Sequence, residues 1–288
     1  MLVDFHTHIF PDALAAKTLP RLSHIAYDSP YYTDGTERGA LDALSAWGVD
    51  RAVVLHIATK PGQQKTVNRF AAEVQARNPN MLCFGTVHPK DPGAADEIAE
   101  IKAAGLCGVK LHPAYQTCYF GDEAYFPIYA TIEKAGLPLL LHAGRDPVSR
   151  ENFAPADQIA AVARAFPRLA LVAAHMGALG QTEPAERYLC DLPNVYFDTA
   201  MSSVYLEPGE YLRLIRKKGA DHVLFGTDCP WNTVENELGM LECLGLTGEE
   251  LEDIKWRNAE RLLPQGDFFK SPPGRKLSLI HISEPTRH

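Results

Sequence analysis

The chain has 288 residues, 46% of them hydrophobic, and a formal net charge of −8. This length suits one large α/β domain with a substantial core, and an acidic chain without a basic patch argues against nucleic acid as a partner. Because no apolar run approaches the roughly 20 residues that span a bilayer, we expect no membrane association.

The cysteines and the first residues indicate the compartment. None of the six cysteines forms a C-x-x-C pair, and several lie in apolar runs. The opening Met-Leu-Val-Asp lacks the basic and long apolar regions of a signal peptide. We therefore expect reduced, mostly buried thiols in a cytoplasmic protein.

Short apolar segments rich in β-branched residues alternate with segments of helical spacing along the chain. The eight apolar segments are 2–8, 51–58, 81–89, 107–113, 137–144, 169–177, 194–200 and 222–231. Strands that alternate with helices pair in parallel through crossovers, and eight such units predict a (β/α)₈ TIM barrel with its site at the carboxyl ends of the strands. An open doubly wound sheet is the alternative, but it usually has a glycine-rich phosphate loop after its first strand.

The first strand instead carries the string DFHTH at residues 4–8. Side chains two apart on a strand share a face, so His6 and His8 should point the same way, opposite to Phe5 and Thr7. Two imidazoles on one face are either a hydrogen-bonded polar pair or half of a metal site.

Polar residues recur where the apolar segments end. They are His8, His56, His88, Lys110, His112, His142, His175, Asp198 and Asp228. Because the active sites of TIM barrels lie at the carboxyl ends of the strands, we expect these side chains to converge on one mouth.

Each of these residues also has an ordinary structural interpretation. His142 and His175 follow apolar runs and could be hydrogen-bonded core histidines, or they could serve the site. An acid after Val-Leu-Phe-Gly is costly to bury unpaired, so Asp228 needs a cation, an arginine or a metal. Lys110 needs a counter-charge for the same reason, and a buried salt bridge would satisfy it.

Six motifs, in order and with barrel spacing, resemble the amidohydrolase superfamily. They are DFHTH, VKLHP, LLHAG, AAHMG, FGTDCPW and RNAERLL, and the resemblance runs from about residue 2 to residue 264. The chain is most similar to the amidohydrolase-related branch that includes aminocarboxymuconate-semialdehyde decarboxylase. The resemblance implies a distorted TIM barrel with one or two divalent metal ions at the strand ends.

Carried over position by position, the resemblance implies the metal ligands His6, His8, His142 and Asp228. It implies that His175 is a second-metal ligand or a catalytic acid/base. Lys110 stands where some members carry a carboxylated lysine that bridges two metals, but this branch usually does without the bridge. We therefore favour one ion over two, with Lys110 contacting a substrate carboxylate or an acid of the site.

Three imidazoles and a carboxylate suit Zn²⁺, and Mn²⁺, Fe²⁺ or Co²⁺ could occupy the same ligands. Such an ion lowers the pKa of bound water, so we expect hydrolysis of a small amide, lactone or ester. In this scheme Asp228 accepts the proton of the water, and His175 stabilises or protonates the oxyanion.

The alternative reaction is decarboxylation of a small unsaturated or aromatic carboxylic acid, with Lys110 or Arg145 binding the acid. His112, Arg145 and His56 are the predicted substrate-binding residues. A catalytically silent metal-binding protein is a third hypothesis. Beyond the small-molecule substrate, the only partner expected is a second copy in a homodimer.

The end of the chain is treated separately. Residues 277–287 read LSLIHISEPTR, which looks like a translated sequencing adapter. We predict one metal-dependent hydrolase TIM-barrel domain over residues 1–270 and a non-native, disordered tail over residues 271–288.

Overall fold

Eight parallel strands form one sheet in the order β1 to β8. A computed structural model describes residues 1–264, so the predicted tail at 271–288 lies outside the described residues. The strands are β1 (Val3–Thr7), β2 (Arg51–Leu55), β3 (Met81–Thr86), β4 (Val109–Leu111), β5 (Leu139–Leu141), β6 (Leu171–Ala173), β7 (Val195–Asp198) and β8 (Val223–Leu224). Each lies within one of the eight predicted segments, and the predicted (β/α)₈ barrel is confirmed.

The barrel closes where β1 meets β8 and the residues that follow it. The Phe5 amide donates to the Phe225 carbonyl at 2.7 Å, and the His8 amide donates to the Cys229 carbonyl at 2.6 Å. In the other direction, the Asp228 amide donates to the carbonyl of His6 at 2.8 Å. This seam therefore brings both ends of the DFHTH motif to the segment that carries Asp228.

Helices follow the strands and cover the outside of the sheet. They are α1 (Asp12–Ile25), α2 (Glu37–Ala46), α3 (Gln64–Arg77), α4 (Ala94–Ala103), α5 (Pro113–Gln116), α6 (Phe126–Ala135), α7 (Ala156–Ala165), α8 (Thr182–Tyr188), α9 (Ser202–Tyr205), α10 (Pro208–Lys218), α11 (Val234–Cys243), α12 (Gly248–Glu252) and α13 (Asn258–Leu262). Within residues 1–264, no helix combines the length and apolar character that a membrane crossing requires.

Alternation along the short strands separates an outer core from the barrel interior. Val109 and Leu111 of β4 belong to the large cluster under the helices, whereas Lys110 between them is wholly buried on the other face. On β5, Leu140 belongs to a smaller cluster inside the barrel, while both of its neighbours join the outer one. This inner cluster consists of Val3, Phe5, Val53, Leu55, Phe84, Cys107, Leu140, Val172, Ala174, Leu224, Ala259 and Leu263. His142, two residues after Leu140, therefore continues the inward face toward the mouth.

One buried lysine, away from the mouth of the barrel, joins two segments of the outer layer. Lys218 ends α10, and its ammonium donates to the carbonyls of Leu189, Cys190 and Leu192 at 3.4, 3.2 and 2.7 Å. The ammonium also lies 5.7 Å from the centre of the Phe197 ring. These carbonyls follow α8, so the lysine ties the end of α10 to the segment that leads into β7.

Replacing this lysine by methionine should destabilise the barrel. Lys218→Met keeps the stem of the side chain but leaves three carbonyls without their donor, at a cost of about 2 kcal/mol. We expect the midpoint of thermal unfolding to fall by roughly 4–8 °C. The neighbouring Lys217→Met, at a more exposed site, is the matched control, and equal midpoints for the two variants would contradict the role of Lys218.

Candidate metal centre

The first strand contains an irregularity at the DFHTH motif. Asp4 pairs with Ala52 and Thr7 pairs with Val54, so β1 advances three residues while β2 advances two. An extra residue of this kind bends a strand and redirects its side chains. The irregularity falls between Asp4 and Thr7 and so lies next to His6.

The extra residue alters the alternation that the sequence predicts. Phe5 lies in the inner cluster and packs edge-on against Phe84, with ring centres 5.9 Å apart. The Nε2 atom of His6 also faces the interior, 3.5 Å from the Lys110 ammonium. The prediction that Phe5 lies on the face opposite to the histidines is therefore wrong, because regular pleating is interrupted between them.

Three atoms from the barrel seam form a nearly equilateral triangle. The Nε2 atoms of His6 and His8 are 3.2 Å apart. The Oδ1 atom of Asp228 lies 3.3 Å from the first and 3.2 Å from the second. Ligand atoms that sit about 2.0–2.2 Å from one ion are separated from each other by about 3.0–3.5 Å, so the triangle has the size of one face of a metal coordination shell.

The hydrogen bonds of the two histidines assign their tautomers. The Nδ1 atom of His6 lies 2.7 Å from the Asp198 carboxylate, and that of His8 lies 2.9 Å from the Leu55 carbonyl. Both partners only accept hydrogen bonds, so each Nδ1 carries the proton and each Nε2 presents a lone pair. Two lone pairs and a carboxylate oxygen that face one another repel, and a cation placed among them would remove this repulsion.

Electrostatics keep the carboxylate of this triangle ionised. Burial alone would raise the pKa of Asp228, but the neighbouring histidines, His6 foremost, hold it well below its usual range. For His6, burial lowers the pKa because it disfavours the charged imidazolium. Lys110 lowers this pKa further, while Asp198 opposes the shift. A neutral imidazole beside an ionised carboxylate is the protonation state that a metal site uses.

His175 also lies close to the triangle. Ligand atoms of His6, His175 and Asp228 all lie within 4.8 Å of one another. The Nδ1 atom of His175 lies 3.0 Å from the Ala200 carbonyl, so its Nε2 atom carries the lone pair. This lone pair points at the Nδ1 atom of His142, 3.0 Å away.

His142 lies one step further from the triangle. Its Nε2 atom is 2.9 Å from the Arg145 carbonyl and so carries the proton, which leaves a lone pair on Nδ1. That lone pair faces His175. The geometry thus brings His6, His8 and Asp228 together, while the role of His142 as a ligand stays a prediction.

Two site residues have strained backbones. His175 and Asp228 have φ angles of 59° and 69°, which are uncommon for residues other than glycine. Ala174 belongs to the inner cluster, so regular pleating would turn His175 outward, and the left-handed turn instead directs its imidazole to the mouth. The amide of His175 donates to Asp198 at 2.8 Å, which fixes this turn.

A second group of polar side chains lies beside the first. Ligand atoms of His112, His142 and Asp146 also lie within 4.8 Å of one another. The Nε2 atoms of both histidines are 3.6 Å from the Asp146 carboxylate, and the two rings stack with centres 4.4 Å apart. The Nδ1 atom of His112 accepts from the Tyr115 amide at 3.4 Å, which leaves its Nε2 as a donor. Donors here face acceptors, so this group needs no cation.

Lys110 reaches the site. Its side chain is wholly buried, and its ammonium lies against His6. Burial lowers the pKa of Lys110 to about 8, while the carboxylates of Asp228, Asp198 and Asp146 oppose that shift. The three surrounding acids provide the counter-charge that the sequence requires for this lysine.

Arg145 and His56 lie apart from the triangle. Arg145 is exposed, and it is its carbonyl that contacts His142. The ring of His56 packs edge-on against Phe70 of α3, and its Nδ1 is 3.3 Å from the Phe84 carbonyl. Its buried Nε2 has no hydrogen-bond partner within residues 1–264. Substrate binding by His56 and Arg145 therefore stays a prediction.

The structure adds two acids that the motifs alone did not identify as site residues. Asp4 accepts hydrogen bonds from the amide and hydroxyl of Thr227 and from the amide of His6, and burial raises its pKa to about 7. Its position in DFHTH, two residues before His6, is the available signal. Asp146 lies in a loop without periodicity, where no signal points to it.

The carboxylate behind His6 should control the metal. Asp198→Asn could present its amide nitrogen to His6, which would favour the wrong tautomer and place a proton on Nε2. We expect the affinity for a divalent metal to fall about 10- to 100-fold, as measured by titration of metal-free protein. Asp191→Asn, an exposed change just before β7, is the control, and unchanged affinity in Asp198→Asn would contradict the tautomer assignment.

Comparison with known proteins identifies the family and corrects the expected reaction. The amidohydrolase family matches residues 3–265. The gamma-resorcylate decarboxylase of Rhizobium radiobacter is 23% identical over 261 residues, which covers 74% of this chain and 77% of that protein.

Solved structures share the fold. The 2,6-dihydroxybenzoate decarboxylase from Rhizobium has a TM-score of 0.69 at 19% identity, with 91% of this chain and 98% of that chain covered. The 5-carboxyvanillate decarboxylase from Novosphingobium aromaticivorans, solved with manganese and 4-hydroxy-3-methoxy-5-nitrobenzoic acid, has a TM-score of 0.70 at 18% identity, with 91% and 95% covered.

These relatives are decarboxylases, so the prediction that the chain hydrolyses an amide, lactone or ester is wrong, and the alternative agrees with them. The error has a physical origin, because the same ligands serve both reactions and the loops around them select the substrate. The family match covers nearly the whole chain, which is therefore an enzyme of the amidohydrolase family.

Proposed function

We propose that this protein is a metal-dependent decarboxylase of a small aromatic acid. The observation that carries the proposal is the triangle of Nε2, Nε2 and Oδ1 atoms next to a buried ammonium. A cation site and a lysine at the mouth of one barrel form a pair of positive charges that suits a carboxylate with an adjacent oxygen. The decarboxylases described above support this choice of reaction.

The residues fit one divalent ion. His6, His8 and Asp228 would hold it. We leave out His142, the fourth ligand that the resemblance implies, because its one lone pair faces His175. Manganese is present in the related 5-carboxyvanillate decarboxylase structure, so we propose Mn²⁺ ahead of Zn²⁺ for this site. When bound, such an ion supplies positive charge that anchors substrate oxygens and stabilises the negative charge left by the departing carboxyl group.

Lys110 would fix the substrate on the side of the triangle toward β4. Its ammonium lies inside the barrel, where water is excluded and a charge-assisted hydrogen bond to an anionic oxygen is strong. The carboxylates of Asp228, Asp198 and Asp146 balance the positive charge of Lys110 before the substrate enters. We propose that Lys110 orients the acid and does not itself transfer a proton.

His175 would deliver the proton that the reaction consumes. Decarboxylation breaks the ring–carboxyl bond, releases CO₂ and places one proton on the ring carbon. The lone pairs of His175 and His142 face each other at 3.0 Å, a geometry that accommodates one shared proton. Burial, and then His142, lower the pKa of His175 to about 3, so the ring is neutral near pH 7 and would take up this proton from solvent once the anionic substrate is bound, before passing it to the ring carbon.

The test is release of labelled CO₂. Metal-free protein is loaded with Mn²⁺ and incubated with carboxyl-¹³C-labelled hydroxybenzoates, including 2,6-dihydroxybenzoate and 5-carboxyvanillate. We expect ¹³CO₂ and the matching phenol from at least one acid, and neither product without metal. Turnover of an ester, lactone or amide panel by the loaded protein, with no CO₂ from any aromatic acid, would overturn the proposal.

A further inference from the structure

The loops after β7 and β8 flank the proposed proton donor and the proposed metal. The loop after β7 supplies the Ala200 carbonyl that holds His175, and it leads directly into α9. The loop after β8 carries Asp228 and continues through Asn232 to α11. The relative position of these two loops therefore sets the distance between His175 and Asp228.

A buried acid joins the two loops. Glu237 of α11 is wholly buried, and its Oε1 accepts from the Ser203 amide at 3.1 Å and from the Ser203 hydroxyl at 2.8 Å. The same oxygen accepts from the Asn232 side-chain amide at 2.8 Å. Asn232 also donates to the Ser203 hydroxyl at 2.9 Å, which closes a ring of three side chains.

The helix does not need this acid for its own anchoring. Val234 and Leu241 already bury the apolar face of α11, and Thr233 caps its start by accepting from the Asn236 amide. Burying a carboxyl group costs free energy unless it is hydrogen-bonded. Burial also raises the pKa of Glu237 well above its usual range. The side chain therefore has no role as a charge on the protein surface.

The side chains joined by Glu237 lie close in sequence to residues of the candidate site. Ser203 is three residues beyond Ala200 and five beyond Asp198, the residues that hold His175 and His6. Asn232 is four residues beyond Asp228 in the other loop. A displacement of α9 would therefore reach the supports of both histidines.

We propose that Glu237 is a positioning residue that locks the loop after β7 to the loop after β8 and thereby fixes His175 opposite Asp228. It acts through Ser203 and Asn232, without touching the substrate. The kinetic part of the proposal rests on the proposed function, whereas the structural part does not.

Three variants test this role. Glu237→Ala removes all the contacts, and Glu237→Gln keeps an Oε1 acceptor for the three hydrogen bonds. Glu235→Ala, at an exposed site two residues earlier on α11, is the matched control. We expect kcat for decarboxylation to fall about 10- to 100-fold in Glu237→Ala, because His175 is misplaced, with KM changed less than about threefold. Glu237→Gln should recover kcat to within about threefold of the wild type.

Amide hydrogen exchange gives a readout that does not depend on the reaction. In Glu237→Ala we expect faster exchange in both 199–206 and 229–236, and in Glu237→Gln we expect the wild-type rates. If exchange rises as expected but the protein decarboxylates none of the acids, the proposed function is wrong and the positioning role of Glu237 is supported. If Glu237→Ala decarboxylates with the wild-type kcat and its amides exchange at wild-type rates, the positioning role of Glu237 is wrong and the proposed function is supported.

A further variant covers the case in which Glu237→Ala does not fold. Ser203→Ala removes the hydroxyl that contacts Glu237 and Asn232, at a partly exposed site, and leaves the Ser203 amide and the buried acid in place. It should lower kcat in the same direction and accelerate exchange in 199–206. Wild-type kcat and wild-type exchange in Ser203→Ala would also overturn the proposal.

Discussion

His8→Ala is expected to abolish metal binding and to lower kcat/KM for decarboxylation by at least about a thousandfold, because the metal supplies several kcal/mol of charge stabilisation. His8 contributes one corner of the triangle through Nε2, and its Nδ1–H donates to the Leu55 carbonyl. Removing the ring leaves two ligand atoms of the triangle, His6 Nε2 and Asp228 Oδ1. Metal content and initial rates would be measured on the same preparation.

The control for this variant is another histidine in an exposed position. His24 lies on α1, and its side chain is 83% exposed beside Asp28. His24→Ala should leave metal content and rate at wild-type values. A His8→Ala protein that folds, retains a full equivalent of metal and keeps its rate would mean that the triangle does not hold the ion.

Lys110→Met should produce the second-largest loss. A hydrogen bond to a charged partner contributes about 1.5–3 kcal/mol, so removal of the ammonium should lower kcat/KM about 10- to 150-fold. Methionine has a similar length, but it leaves the surrounding carboxylates without the ammonium, so we expect the midpoint of thermal unfolding of the metal-free protein to fall. Steady-state kinetics with an aromatic acid and a thermal melt measure the two effects.

The same variant separates one ion from two. A carboxylated lysine that bridged two ions would lose one equivalent of metal in Lys110→Met, whereas a substrate-binding ammonium would not change the metal content. The exposed Lys60→Met is the control for charge. A wild-type kcat/KM in Lys110→Met would contradict the role that we give to the ammonium.

The barrel was predictable because its signals are local and repeated. Segments such as 137–144 and 169–177 combine an apolar run with a polar residue at the end, and parallel strands bring such ends to one edge. The same reasoning located His6, His8 and Asp228, whose convergence follows from the closure of the barrel. The sequence did not give the strand lengths, since short strands such as β8 merge into loops of similar composition.

The parts that failed depend on departures from regular geometry. The extra residue in β1 places Phe5 on the inward side, and alternation cannot anticipate it. The left-handed backbone at His175 sends its imidazole toward His142, although regular pleating would turn it outward. Such strained positions are held by long-range contacts, here with Asp198, which no local pattern encodes.

The acids of the loops and helices were hidden for a different reason. Asp146 lies in a loop whose path is set by its neighbours, and Glu237 looks like any charged residue of an amphipathic helix. Only the fold shows that the first lies beside two imidazoles and that the second is wholly buried. The reaction was equally unreadable, because the ligand set fixes the metal chemistry but leaves the substrate to the loops.

The central claim is that His6, His8 and Asp228 surround one divalent ion, and metal content per chain tests it most directly. Protein truncated after residue 270 would be purified without added metal, reconstituted with Mn²⁺, desalted and measured by elemental analysis beside His8→Ala. The account predicts about one equivalent in the wild type and none in the variant. No bound metal in the reconstituted wild type would contradict it.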